Sequence, residues 1–327
     1  MDDQHFELLT QVAGFYYEHN LKQDEIAKRT GYSRSMVSRL LAEAREKGIV
    51  EVRINYPLKR CLDIEEALQQ TLNLRIVRVI SRGTLGYHQM LRKLGSMAAR
   101  LIEELVGNGA KKIGVAWGTA LWETTSALRK ANYADTRIFQ VIGASGSLDP
   151  EIDGPNLARL LAEALGGQYF TIPAPLIVES PTTRDALLHD PIVARIMQEA
   201  AGLDLALVGI GSMDPETSSW VRSGYLNSEQ LVSLAAQGAV GDVCGIIFDR
   251  NGILQDLSIR NRIVGIGAED LMRVPLKLGI SAGEMKTLPI LGACRAGLVN
   301  CLVTDEIAAL SVLDAFREDL KKIERIS

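Results

Sequence analysis

Near the start of the chain, Phe6, Leu9, Val12, Ala13, Phe15 and Tyr16 recur at three- and four-residue intervals, the spacing of an amphipathic helix. The polar run EHNLK (18–22) interrupts it. Asp24 can open a second, short helix with Ile26 and Ala27 facing inward. TGYS (30–33) follows, and Gly31 suits the left-handed position just beyond a helix. Ser33 is placed to cap a third helix over about 34–47, with Met36, Val37, Leu40, Leu41 and Ala44 inward. Its outward positions are Arg34, Ser35, Ser38, Arg39 and Arg45. Gly48 ends that helix, and IVEVRINY (49–56) alternates like a strand. Pro57 ends the strand, and 58–71 reads as a short helix with Leu62, Ile64 and Leu68 apolar. Such a helix either pairs subunits or packs on its own body.

From residue 73 the pattern changes. Apolar, β-branched runs (LRIVRVI, KIGVAW, RIFQVIG, QYFTIPAP, LDLALVGIG, GIIFD, PLKLGIS, GLVNCLVT) are separated by helical segments at 86–106, 119–130, 155–165, 191–201 and 305–322. This alternation predicts a mostly parallel, doubly wound α/β sheet with helices on both faces. The expected organisation is a winged helix-turn-helix over 1–56, a linker or oligomerisation helix over 57–72, and a Rossmann-like domain over 73–327.

Composition narrows the classes. The chain has 327 residues, 47% of them hydrophobic and 23% charged, an ordinary globular mix long enough for more than one domain. No run reaches the ~18 apolar residues of a membrane span. The acidic start MDDQHFE has no apolar signal core, so a cytoplasmic protein is expected. Four scattered cysteines (Cys61, Cys244, Cys294, Cys301) and four histidines (His5, His19, His88, His189) show no metal-ligand spacing, and neither a metal nor a cofactor is expected.

Charge is unevenly spread. Residues 21–60 hold ten Lys/Arg against five Asp/Glu, a balance of +5 within a chain of net charge -4. A basic segment on an acidic body is what a nucleic-acid reader requires. In a helix-turn-helix the second helix of the pair enters the DNA major groove, where arginine reads guanine or grips phosphate and serine bonds to either. Gln23, Ser33, Arg34, Ser35, Ser38, Arg39 and Arg45 are the candidate DNA contacts, with Arg53 of the wing available to the backbone.

In doubly wound folds, ligands bind beyond the carboxyl ends of the strands. After KIGVAW, Gly118–Thr119–Ala120 opens a helix: a glycine turn plus a helix N-terminus, able to cradle an anion. Small-residue loops also follow RIFQVI (Gly143–Ala144–Ser145–Gly146–Ser147) and LDLALV (Gly209–Ile210–Gly211–Ser212). Glycine after a strand is often only a turn, but three such loops at strand ends point to a site. GISAGEMK places Lys286 at a further strand-to-helix junction, as either a solvated lysine or a cation for phosphate. Asp242 stands just before a strand, able either to accept sugar hydroxyls or to cap a helix.

The segment YYEHNLKQDEIAKRTGYSRSMVSRLLAEAREKGIVEVRIN resembles the N-terminal domain of the SorC family of bacterial sugar-responsive transcriptional regulators. The likeness continues through GVAWGTAL (114–121), VIGASG (141–146), ALVGIGS (206–212), GAVGDVCGIIFDRNG (238–252), GISAGEMK (279–286) and NCLVTDEIAA (300–309). The resemblance implies an effector domain similar in fold to ribose-5-phosphate isomerase and glucosamine-6-phosphate deaminase. It also implies a phosphorylated sugar or polyol effector, operator DNA as partner, and a dimer or tetramer. Carried over by motif, the effector contacts are Trp117, Gly118, Thr119, Gly143, Ala144, Ser145, Asp242 and Lys286. Many relatives have paired glycines where this chain has Gly143–Ala144 and Ala282–Gly283, and the added methyls narrow the backbone approach.

The rival reading is a sugar-phosphate isomerase or deaminase carrying a DNA-binding domain. It needs acid–base groups at the strand ends. Asp242, Asp249 and Lys286 are the candidates, no glycine loop holds a histidine, and 141–147 holds no lysine for imine chemistry. A sensor is therefore expected, with no catalytic residue.

Overall fold

Glu25 and Ser33 through their side chains, and Gly31 through its backbone freedom, fix the ends of two short N-terminal helices. The computed structural model describes residues 3–50, 58–146 and 149–324. It comprises two units, Met1–Pro57 and Leu58–Ser327. The first contains α1 (Asp3–Tyr17), α2 (Gln23–Thr30) and α3 (Arg34–Glu46). The Glu25 carboxylate accepts the Lys22 N–H at 2.7 Å at the start of α2. Gly31, at φ 77°, closes α2 by donating its N–H to the Ala27 carbonyl. Ser33 Oγ accepts the Met36 N–H at 3.2 Å and so caps α3.

The core of this unit is Leu9, Val12 and Ala13 of α1, Ile26 of α2, and Val37, Leu40, Leu41 and Ala44 of α3. Each large aliphatic among them contributes about 1.5–3 kcal/mol by burial. Phe6 and Tyr16, expected inward, are exposed. They lie on the margins of the stripe, and only its centre meets α3. Ile49 and Val50 pack against the core. Residues 51–57, most of the expected wing including Arg53, lie outside the described residues.

The second unit begins with α4 (Leu62–Leu72), β1 (Ile76–Ile80), α5 (Tyr87–Gly107), β2 (Lys112–Val115), α6 (Thr119–Ala127) and β3 (Arg137–Gln140). It continues through α7 (Gly154–Leu165), β4 (Gln168–Phe170), α8 (Pro181–His189), α9 (Pro191–Ala200), β5 (Leu205–Gly209), α10 (Ser219–Arg222) and α11 (Ser228–Ala236). It closes with β6 (Ala239–Val243), β7 (Ile246–Asp249), α12 (Ala268–Arg273), β8 (Leu276–Ile280), α13 (Thr287–Arg295), β9 (Cys301–Asp305) and α14 (Glu306–Glu324). Seven strands form one parallel sheet in the order β1-β9-β8-β5-β2-β3-β4. From β2 the chain runs outward through β3 and β4, then returns to β5 on the other side of β2. The switch point is therefore the β2–β5 pair, and its strands read as continuous apolar runs because both faces are covered.

GIIFD, expected to belong with the other strands, does not join this sheet. As β7 it pairs antiparallel with β6 through the two-residue turn Cys244–Gly245, whose φ values are 50° and 73°. Two residues at positive φ make a hairpin, whereas a parallel connection needs a crossover of a dozen residues or more. The hairpin is tied instead to the loop after β5, where Gly211 N–H donates to the Asp242 carbonyl at 2.8 Å.

Helix α4 packs on its own body. Leu68 is buried, and the buried Glu65 carboxylate accepts the Val79 N–H of β1 at 2.9 Å and the Arg60 guanidinium. Leu62, the first residue of that helix, is 61% exposed.

Candidate functional site

Loops at the carboxyl ends of β2, β5 and β8 surround a cavity of about 670 Å³, straddling the switch point. Trp117, Gly118 and Thr119 enter from β2 and the start of α6. Ile210 and Gly211 follow β5, and Ser281, Ala282 and Lys286 follow β8. Asp242 and Cys244 come from the β6–β7 hairpin, Tyr87 and His88 from the first turn of α5, and Trp220 and Arg222 from α10.

Gly118 adopts φ 125° and ψ 164°, a conformation open to glycine alone, and no side chain caps the helix that follows. The first-turn amides of α6 thus face the cavity with the Thr119 hydroxyl beside them, the arrangement that favours an anion. Lys286, partly buried, donates from Nζ to the Ile210 carbonyl at 2.9 Å. Burial pulls its amine down to about 8; Asp242 and Asp214 oppose the change and Arg222 adds to it.

Asp242 is buried, and both its oxygens are engaged. Oδ1 accepts the Trp220 indole N–H at 2.8 Å, and Oδ2 accepts the Gly245 N–H at 3.1 Å. Burial makes it a weaker acid than the usual carboxylate, pushing its pKa up, with the two hydrogen bonds and Lys286 holding it back. Asp242 lies inside β6 and ties down the hairpin turn, and it caps no helix. A Cβ on Gly211 would stand 1.9 Å from Asp242 Oδ1, so only glycine lets the β5 loop pass the carboxylate.

Five residues expected at the site, Trp117, Gly118, Thr119, Asp242 and Lys286, line one cavity. The loop Gly143–Ala144–Ser145 does not. A Cβ at Gly143 would meet the Pro175 carbonyl at 2.5 Å, and Ala144 bridges to Pro175. The buried Ser145 hydroxyl donates to Asp153 Oδ1 at 3.0 Å. These glycine-loop features serve packing against the 172–177 segment and the start of α7. Asp149 and Ile152, a few residues on, reach the cavity instead. Of Ala144 and Ala282, only Ala282 lines the cavity.

Sequence reasoning did not find Tyr87, His88, Trp220 or Arg222. Helices α5 and α10 carry no glycine motif, and their approach to β6 and β8 is a matter of tertiary packing. Trp220 lies 22 residues from Asp242, with no pattern in the chain to join them. Among the described residues, no cluster of three His, Cys, Asp or Glu side chains is disposed to hold a metal.

On the first unit, Ser33, Arg34, Ser35, Ser38, Arg39 and Arg45 are all exposed, along one side of α3 opposite Val37, Leu40 and Leu41. Gln23, at the start of α2, is partly exposed, and Arg34 stands 3.6 Å from Asp24.

Residues 56–314 match the family described as "Putative sugar-binding domain". The chain is 31% identical over 305 residues to the sorbitol operon regulator of Klebsiella pneumoniae, covering 92% of this chain and 96% of the relative. It belongs to the SorC family of transcriptional regulators. A further SorC-family likeness is the transcriptional regulator LsrR of Klebsiella pneumoniae subsp. pneumoniae, 32% identical over 310 residues, with 94% of this chain and 93% of the relative covered. The crystal structure of the full-length sorbitol operon regulator SorC from Klebsiella pneumoniae superposes with a TM-score of 0.74 at 30% identity. That superposition covers 96% of this chain and 99% of the other. Like these SorC relatives, the chain is a transcriptional regulator with a sugar-binding domain. Among the described residues no helix is long and apolar enough to cross a membrane.

Proposed function

We propose that this regulator binds operator DNA through α3 and that a small phosphorylated sugar or polyol, held in the β2–β5–β8 cavity, controls that binding. The observation that carries the reading is the convergence of the Gly118–Thr119 helix start, Lys286 and Asp242 on one cavity at the switch point. An anion suits the α6 amides and the Lys286 ammonium. The Trp117 and Trp220 rings, with Cys244 and Ala282, supply apolar walls for the carbon skeleton. Sugar hydroxyls meet Asp242, whose carboxylate keeps spare lone pairs beyond its two hydrogen bonds.

The domain acts as a sensor and not as a catalyst. Supporting this, the acid–base candidates already have structural tasks that a catalyst would have to disturb. Asp242 holds Trp220 and Gly245, and Lys286 is bonded to a backbone carbonyl. The protein works in the cytoplasm as a homo-oligomer whose paired α3 helices meet repeated half-sites, with residues 1–56 as the DNA-binding domain.

A thermal-shift panel of phosphorylated sugars and polyols beside their unphosphorylated parents tests the effector class. At 100 times its dissociation constant, the cognate compound raises native-state stability by about 2.7 kcal/mol. Equal shifts from the unphosphorylated parents would remove the phosphate from the proposal. Consumption of any stabilising compound by the purified protein would reinstate the enzyme.

A further inference from the structure

Asp305, the last residue of β9, is fully buried and does not line the cavity. Its Oδ1 accepts the Gly283 N–H at 2.8 Å and, more loosely, the Ala308 N–H at 3.4 Å. The Gly283 carbonyl in turn accepts the Lys286 N–H at 2.9 Å, so Asp305 anchors the turn that carries Lys286. Its second oxygen, Oδ2, has no hydrogen-bond partner among the described residues; the Arg82 guanidinium stands 3.9 Å away. A buried carboxylate oxygen with only a distant charge for company is costly, and a shift of about 1 Å by Arg82 would convert that contact into a charge-assisted hydrogen bond.

The other side of this contact leads to the start of the second unit. Asp305 is in register with Ile80 of β1, and Ser81 Oγ donates to Glu306 at 3.1 Å. Residues 59–61 run antiparallel along β1. Ser81 N–H donates to the Lys59 carbonyl and Cys61 N–H to the Val79 carbonyl, both at 2.9 Å, and Arg60 is bridged to Ile80. Lys59 is two residues beyond Pro57, where the first unit ends.

We infer that Asp305 is a positioning residue: through its hold on Gly283 and its contact with Arg82, it links the Lys286 turn to the 59–61 segment that leads into the DNA-binding unit. An anion drawing on Lys286 moves Gly283, Asp305 follows, and the Arg82–Asp305 contact closes or opens. The register of 59–61 on β1 then has two arrangements, which an effector biases by differential affinity. This rests on the reading of the cavity as an anion site.

The test is amide hydrogen exchange on the full chain, with and without saturating inorganic phosphate, in wild type, Asp305→Asn and Arg82→Gln. Asparagine caps α14 as well as aspartate does and still accepts from Gly283, while an NH2 replaces the charged acceptor that faces Arg82, so the contact with Arg82 is what it removes. In wild type, phosphate should slow exchange at 117–121 and 283–286 and change it about fivefold or more at 58–64. Both variants should keep the first effect and lose the second. Persistence of the 58–64 change in both variants overturns the inference, as does loss of the response at 117–121, which would make Asp305 a mere support of the site. Slowed exchange at 117–121 in wild type with nothing at 58–64 overturns the link alone. No response at 117–121 in wild type removes the anion site, and the link falls with it.

Discussion

Asp242 serves two purposes at once, and its geometry says what each substitution should do. Asp242→Ala leaves the Trp220 indole N–H and the Gly245 N–H without acceptors, at about 1–3 kcal/mol apiece. Urea unfolding should therefore show a loss of that order, together with loss of the effector response; unchanged stability would contradict the hydrogen bonding described. Asp242→Asn should cost less, since its carbonyl can keep Trp220 and only its amide faces Gly245. Lys286 makes a pH prediction. Burial lowers its amine from 10.5 to about 8 in the fold, so its charge penalises the native state at neutral pH. Between those two values the unfolded chain holds the extra proton, and native stability should rise with pH through that window. Affinity for a phosphate monoester, dianionic throughout, should fall over the same range as the ammonium is lost. Lys286→Met should abolish both trends in thermal melts across that pH range. At this scale the chain was legible where a residue sat beside a strand-end glycine, as Thr119 and Lys286 do. It was illegible where a side chain arrives from a distant helix, as Arg222 and His88 do. Ser145 misled because a hydroxyl in a glycine loop looks the same whether it faces a ligand or Asp153.

At the scale of elements, α3 is the simplest to test. Its buried side is complete without Arg34 or Arg39, and the exposed Arg34–Asp24 pair is worth at most about 1 kcal/mol. Arg34→Ala and Arg39→Ala should therefore leave unfolding curves nearly unchanged while weakening operator binding. A guanine-reading arginine costs about 1–3 kcal/mol at one base pair, measured by gel shift on altered operators. A phosphate-gripping one weakens all sequences alike and flattens the dependence on salt. Wild-type affinity in both variants would dismiss α3 as the reading helix. Helices with strong periodicity and a polar cap were readable to within a residue or two: α3 was expected over about 34–47 and spans Arg34–Glu46. The β6–β7 hairpin was misread because an apolar run does not say whether its neighbour lies across a turn or a crossover. The deciding feature was the pair Cys244–Gly245, and a cysteine at positive φ is not a turn signal.

For the whole molecule, alternation of strands and helices announced a parallel sheet, but not the order of its strands. That order follows from α5 carrying the chain from β1, at one edge, to β2, four positions away, and nothing in the residues of α5 states how far it must reach. Assembly was argued from the two-fold character of DNA sites. Light scattering at micromolar concentration should give a dimer or tetramer, and Leu62→Glu, on the exposed side of α4, should reduce the mass if that helix joins subunits. An unchanged mass would leave α4 as a support for β1 through Glu65 and Leu68. The hairpin has a consequence for how such a protein diversifies. One wall of the cavity is bonded to itself and to the loop after β5, and it never enters the seven-stranded ladder, although Val243 and Phe248 pack in the core beside it. The turn of that wall can thus be altered without rewriting any rung of the ladder. Position 244 is the natural place to exchange chemistry, because glycine and asparagine both accept its backbone angle. A substitution there redraws one short wall and leaves the seven-stranded sheet as it is.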